Sequence, residues 1–261
     1  MFWIHKYGFT NLSYKALYSF QSLKLFILFR IVDPFMNYLF YATLVSAMIG
    51  SDYLSFVVIG NIASYTCHTI MINFMTMFRF ERRYGTLELN IASPSPTLWI
   101  IIRKAIVPLF DGMFVFTVGL LIGWLIFDIP LPLDQIGNIL VLFIVTLFSV
   151  LAFSLLFACL SLLFANVNLF LNLALAVFQV FCGVNFSVTL LPNSLEFIAR
   201  MLPLTHSIEA LRSIYGIESY SVYPLLGKEL IIGICYLLVS LVFATMMEKV
   251  ARKNGALLKS V

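Results

Sequence analysis

Groups that could handle protons or ions are sparse in this sequence and lie far apart. Within the long apolar runs they read as Asp111 and His68, accompanied by hydroxyl and amide side chains at Asn61, Ser64, Asn168, Asn172 and Gln179. An ionisable group in hydrocarbon is expensive, so each is a candidate either for function or for a pairing that neutralises it. Asn61, Ser64 and His68 follow one another at three and four residues and share one helical face, while Asn168, Asn172 and Gln179 form a second stripe at four and seven. Such stripes must look at protein or at a wet cavity, because lipid offers no hydrogen-bond partner. Helix packing is the preferred use of His68, and bridging between helices or subunits that of the amides; a substrate path between subunits is the sharper alternative. Asp111 follows Lys104 by seven residues, about two turns on the same face, and pairing between them is preferred to a substrate role.

Other chemistries lack their residues. The sequence has no Gly-rich phosphate loop ending in Lys and Ser or Thr, no His-Glu-x-x-His helix and no Gly-x-Ser-x-Gly turn. Cys67, Cys159, Cys182 and Cys235 each lie inside an apolar run without metal or redox spacing, and read as packing residues. No catalytic residue, metal or cofactor is therefore expected in this chain.

Charge gathers elsewhere. Residues 78–105 carry seven of the 28 charged side chains: Arg79, Arg82, Arg83, Arg103 and Lys104 against Glu81 and Glu88. A basic excess beside apolar spans marks a cytoplasmic loop. Only Gly85 interrupts helix-compatible residues over 81–90, and Ser93-Pro94-Ser95-Pro96 then forces the chain out of helical geometry, so a short surface helix followed by a stop is predicted.

These groups require membrane helices to position them. Hydrophobic residues make up 62% of the 261 and charged residues 11%, too little polar surface for a water-soluble fold. The pattern predicts an all-α integral membrane protein with six transmembrane helices. The first starts at Asp33-Pro34 and runs to about 49, the second covers 53–77, the third 106–127, the fourth 136–164, the fifth begins at Asn168, and the sixth covers 223–247. Residues 1–31 form a cytoplasmic N-terminal segment whose stretch 13–28 suits an amphipathic helix lying in the interface, with no cleaved leader. Residues 32–247 form the membrane domain, and 248–261 a basic cytoplasmic tail.

Between the fifth and sixth spans, 186–222 reads as two half-helices too short and too charged to cross. Leu191-Pro192-Asn193-Ser194 is expected to break one helix and cap the next, with Glu196, Pro203, Glu209 and Arg212 distributed through the pair. Thirteen of the sixteen Lys and Arg then fall on one side, which places both termini in the cytoplasm. Because these basic residues gather where anionic headgroups are, the net charge of +4 is no argument for nucleic acid.

Glu81, then Gly85-Thr86-Leu87-Glu88, then Ser93-Pro94, then Lys104 closely resembles the loop between the second and third spans in the membrane component of type-two ABC exporters. The resemblance extends over nearly the whole chain. It implies an N-terminal elbow helix, a cytoplasmic coupling helix in which Glu81, Arg82, Arg83, Gly85, Thr86, Leu87 and Glu88 meet an ATP-binding subunit, and outer re-entrant half-helices in which Pro192, Glu196, Pro203, Glu209 and Arg212 close the pathway. It further implies two ATP-binding subunits that carry ATP and Mg, and a second permease copy, identical or related, in a prokaryotic plasma membrane. The cargo expected from the Phe, Met, Asn and Gln of the inner faces is hydrophobic or amphipathic, a drug or an antimicrobial or toxin peptide. Lipid-linked cell-surface polysaccharide is the runner-up. An ion-coupled secondary transporter is less favoured, since it calls for paired midplane charges and an internal repeat.

Overall fold

The computed structural model describes residues 23–83, 97–161 and 167–254. Among them the regular structure is entirely helical. The helices are α1 (Leu23–Met48), α2 (Leu54–Arg83), α3 (Thr97–Phe127), α4 (Ile136–Ser161), α5 (Val167–Phe181), α6 (Asn193–Met201), α7 (Thr205–Ile214) and α8 (Val222–Asn254), with single 3-10 turns at Ser51–Tyr53, Leu133–Gln135 and Val188–Leu190. Four of the described stretches are long and apolar enough to cross a membrane: Ser51–Met77, Lys104–Phe127, Leu133–Phe157 and Val222–Met246. Of the other two expected spans, α1 has the length but carries Lys24, Arg30 and Asp33, and α5, with 15 residues, reaches only about 22 Å.

The second span is the centre of the molecule. It is the most buried of the four, whereas Val222–Met246 lies at the periphery with most of its apolar side chains outward. The close fit of α2 against α3 follows from small residues: a Cβ on Gly112 would stand 2.6 Å from Ile70 Cγ1, and one on Gly119 would stand 3.0 Å from Ile62 Cγ2. Without a hydrophobic drive between helices in lipid, such close approach is what gives packing its strength. On the other side, Phe153 of α4 meets Phe178 of α5 and Tyr236 of α8, with ring centroids 4.9 and 5.0 Å apart.

Several expected boundaries move. The first long helix does not start at Asp33-Pro34; it is already helical at Leu23, and Pro34 sits inside it. Asp33 therefore caps nothing, because a turn already formed upstream supplies the geometry a cap would have to nucleate. Of the interfacial helix predicted over 13–28, residues 13–22 lie outside the described residues, and 23–28 continue directly into α1. The expected second and third spans, 53–77 and 106–127, agree with the apolar stretches Ser51–Met77 and Lys104–Phe127, but the helices that carry them are longer: α2 runs on through Arg83, and α3 starts at Thr97, just beyond Pro96, with Pro108 inside it. The predicted surface helix thus falls partly on the end of α2; residues 84–96 lie outside the described residues.

The pair of short helices, α6 and α7, forms close to where the pattern puts it, but the break before it comes earlier. The fifth helix ends at Phe181, where Gly183 takes the left-handed conformation at φ 73, rather than at Leu191-Pro192. Nor does a side chain cap α6: the Pro192 carbonyl accepts from the N–H groups of Leu195 and Glu196 at 2.8 and 2.9 Å. The helix α7 ends on Gly216 at φ 70, with Ile217 N–H donating back to the Arg212 carbonyl at 3.0 Å. Every residue of α7 but Ser213 is buried, between α2, α4 and α8.

Candidate functional site

Polar side chains collect at three levels along α2. Nearest the loop that joins α2 to α3, Asp111 Oδ2 accepts from Arg30 of α1 and from Asn73 of α2, which ties the first three helices together. Arg30 reaches Asn73 Oδ1 as well, at 3.5 Å. The pairing predicted for Asp111 was with Lys104, which is buried on the same helix; Arg30 and Asn73 were not foreseen, since both are distant in sequence. A carboxylate with a guanidinium and an amide around it is a structural tie.

At mid-height, the two predicted stripes meet in part. Asn61 Nδ2 donates to Val57 O at 2.9 Å and to Asn185 Oδ1 at 2.9 Å, Gln179 Nε2 donates to Asn61 Oδ1 at 3.3 Å, and Ser64 Oγ donates to Gln179 Oε1 at 3.1 Å. Below this chain of amides opens a cavity of about 200 Å³ lined by Asn37, Tyr41, Ser64, Tyr65, His68, Leu175, Phe178 and Gln179. His68 thus faces a polar space between α1, α2 and α5, beside Tyr65, whose ring centroid is 5.6 Å away. Asn172 does not join; it is exposed on α5. The side chain of Asn168 lies outside the described residues.

The third level surrounds the short helices α6 and α7. Arg212 is almost wholly buried and donates to three main-chain carbonyls: Phe56 at 3.1 Å, Gly183 at 2.8 Å and Val184 at 2.7 Å. Its guanidinium also lies 3.4 Å from the centre of the Phe56 ring. The approach is possible because residue 60 is glycine: a Cβ there would stand 2.2 Å from Val184 O and 2.5 Å from the Arg212 guanidinium. Glu209 receives Arg200 at 3.4 Å and faces His206 Nδ1 at 3.3 Å, and Glu196 receives Arg200 at 2.8 Å, so a charged network links α6 to α7. Pro192 precedes α6, and Pro203 lies in the turn between the pair, where its carbonyl accepts from Cys182 Sγ at 3.5 Å. Glu218, in the loop beyond α7, is pushed above the ordinary carboxylate range by burial, with Arg212 opposing.

Three residues went unrecognised in the sequence. Glu229, seven residues into α8, is a third ionisable group in an apolar run; it is wholly buried and accepts from Ser149 Oγ at 2.5 Å and from Leu204 N–H at 2.8 Å. Its signal was available, since it stands inside a predicted span. Arg30 and Gly60 left no signal of their own, as each matters only through a tertiary neighbour.

For the predicted loop site, Glu81, Arg82 and Arg83 form the helical end of α2, and Gly85, Thr86, Leu87 and Glu88 lie outside the described residues. Among the described residues no three His, Cys, Asp or Glu side chains gather as a metal site would require. What the arrangement offers is a polar cleft at mid-height between two buried ties.

No curated protein matches the chain. The family described as ABC-2 type transporter matches over residues 9–215, well above half of the chain, and the protein belongs to that family.

Proposed function

Taking this multi-pass protein as a permease of the ABC-2 type transporter family, we propose that it works in an ATP-driven exporter with six crossings, α1 and α5 adding to the four long apolar stretches. Both termini then lie in the cytoplasm of a prokaryotic cell. Two separate ATP-binding subunits hold ATP and Mg, and a second permease copy completes the pathway. The observation that carries this reading is the continuity of α2: one 30-residue helix runs from the polar cleft at Asn61, Ser64 and His68 to Glu81, Arg82 and Arg83 at the loop. A rod of that length transmits a push at one end to the other, and the Asp111 tie would make α1 and α3 move with it.

The cleft also bears on cargo. At about 200 Å³ it is smaller than the pockets of about 300 Å³ and above that hold drug-sized ligands, which suits a half-site finished by a second copy. Its mixture of Phe178 and Leu175 with amides and tyrosines fits an amphipathic molecule, a drug or an antimicrobial or toxin peptide. Tyr41 and Tyr65 on its wall favour a second reading, export of a lipid-linked polysaccharide, since sugars stack on aromatic faces.

The test is charge reversal at the loop. Glu81→Lys or Glu88→Lys should leave the membrane level and the partner's ATP hydrolysis in place and abolish export. Unaltered export in both variants would refute the coupling role.

A further inference from the structure

The start of α7 is an unfavourable piece of backbone in a fully buried place. Leu204, which precedes the helix, has φ 89, in the left-handed region that a branched side chain avoids, and it is fully buried. Such a conformation persists only where its surroundings over-determine it. Here the determinant is a side chain of another helix: Leu204 N–H donates to Glu229 Oε1 at 2.8 Å, and the same oxygen accepts from Ser149 Oγ of α4 at 2.5 Å. A carboxyl at this spot also meets the positive end of the α7 dipole. The other oxygen, Oε2, is buried with no hydrogen-bond partner among the described residues, so the contacts of Glu229 to Leu204 and Ser149 both run through Oε1. The opposite end of α7 is fixed differently, by Arg212 to the beginning of α2 and to the exit of α5.

We propose that Glu229 is the positioning residue of the re-entrant closure: as an oxygen acceptor it seats the start of α7 against α4 and α8, and the hairpin leaves its place when this contact is given up. The proposal rests on reading α6 and α7 as the outer closure of a permease. It makes the last span more than a lipid-facing wall, because any shift of α8 against α4 is felt at the first turn of the closure. The molecule contains its own reporter. Cys182 is fully buried, and its thiol donates to the carbonyl of Pro203, the residue before Leu204, so a seated hairpin shields it.

The experiment uses the full chain in membranes without added nucleotide, with Cys67→Ala, Cys159→Ala and Cys235→Ala so that Cys182 is the one thiol. The rate of its alkylation by N-ethylmaleimide is followed. Glu229→Ala should raise that rate by on the order of tenfold, the size of a lost helix cap expressed as local opening, while Glu229→Gln, which retains an acceptor oxygen, should stay within about twofold of the parent. Ser149→Ala, which removes only the second donor, should raise it by about two- to threefold. A Glu229→Ala chain as protected as the parent would overturn the proposal, and so would a Glu229→Gln chain that reacts as fast as Glu229→Ala. If Glu229→Ala fails to accumulate, Ser149→Ala decides: an unchanged rate rejects the seat and a raised one sustains it. Because labelling needs neither ATP nor cargo, the seat stands or falls separately from export.

Discussion

Two arginines, Arg30 and Arg212, anchor opposite ends of this helical bundle, and they are satisfied in different ways. Arg30 meets side chains, the Asp111 carboxylate and the Asn73 amide, on two other helices. Arg212 meets backbone, the carbonyls of Phe56, Gly183 and Val184, and the face of the Phe56 ring; its nearest carboxylate, Glu218, is 4.0 Å away. The first is an ion pair between intact helices. The second fills the gap left where helical hydrogen bonding is interrupted, since Gly183 and Val184 follow the end of α5 and have no helix to bond with. In a membrane, irregular backbone is tolerated only if protein satisfies it, and a five-donor fork is well suited to that task.

The comparison breaks most readily at the ion pair. Asp111→Leu leaves the Arg30 guanidinium without its carboxylate and should cost about 3 kcal/mol or more, read as lost thermal stability of the detergent-solubilised protein. Combining it with Arg30→Leu should recover most of that loss, because an apolar pair needs no neutralisation. No corresponding rescue exists for Arg212. Arg212→Leu strands the loop carbonyls, each unsatisfied buried group costing about 1–3 kcal/mol, and no second substitution can delete a main-chain oxygen. A double variant at 30 and 111 no more stable than Asp111→Leu alone would show that the first anchor, too, serves the backbone.

Lysine sharpens the same contrast at a smaller size. Arg30→Lys retains a point charge beside Asp111 and should cost about 1 kcal/mol or less, whereas Arg212→Lys cannot span three carbonyls or stack on Phe56 and should cost about 2 kcal/mol. Equal losses would erase the distinction. Gly60→Ala should fall in a similar range, about 1–3 kcal/mol, since the new methyl meets the Val184 carbonyl and the Arg212 guanidinium that its hydrogen bonds hold in place.

The same division explains what the sequence could and could not disclose. Helical periodicity and residue chemistry place α2, α4, α6 and α7 well, because apolar runs and short charged half-helices are local signals. The amide stripes also surface, since spacing alone puts Asn61 and Ser64 on the face that meets Gln179. What fails is anything that depends on a partner far along the chain. Asp33-Pro34 looks like a helix start only until the preceding turns are known to be helical. Asp111 announces itself as a buried charge, but its neighbours Arg30 on α1 and Asn73 on α2 are 81 and 38 residues away, beyond the reach of a helical wheel. Backbone partners are the least visible of all: nothing in the letters says that Arg212 will find three carbonyls, or that Glu229 will hold an N–H of Leu204.

The smallest effect expected is at the edge of the Arg212 anchor, and its sign separates the two anchors once more. Glu218 lies outside the long helices and is half-buried, and burial raises its pKa more than Arg212 lowers it. A carboxyl whose folded-state pKa lies above its unfolded value favours the fold while protonated, so its contribution is complete below the unfolded pKa and is lost as pH rises through the folded one. As pH rises from about 4, the unfolded value, through the raised folded-state pKa, the wild-type protein should therefore lose a little stability from this group, and Glu218→Gln, neutral throughout, should flatten that part of the profile. If Arg212 instead relied on Glu218 as Arg30 relies on Asp111, the carboxylate form would be the favoured one. The same substitution would then destabilise the protein at neutral pH, and the slope would run the other way. Melting curves of the two proteins across that interval distinguish an anchor built on carbonyls from one built on charge.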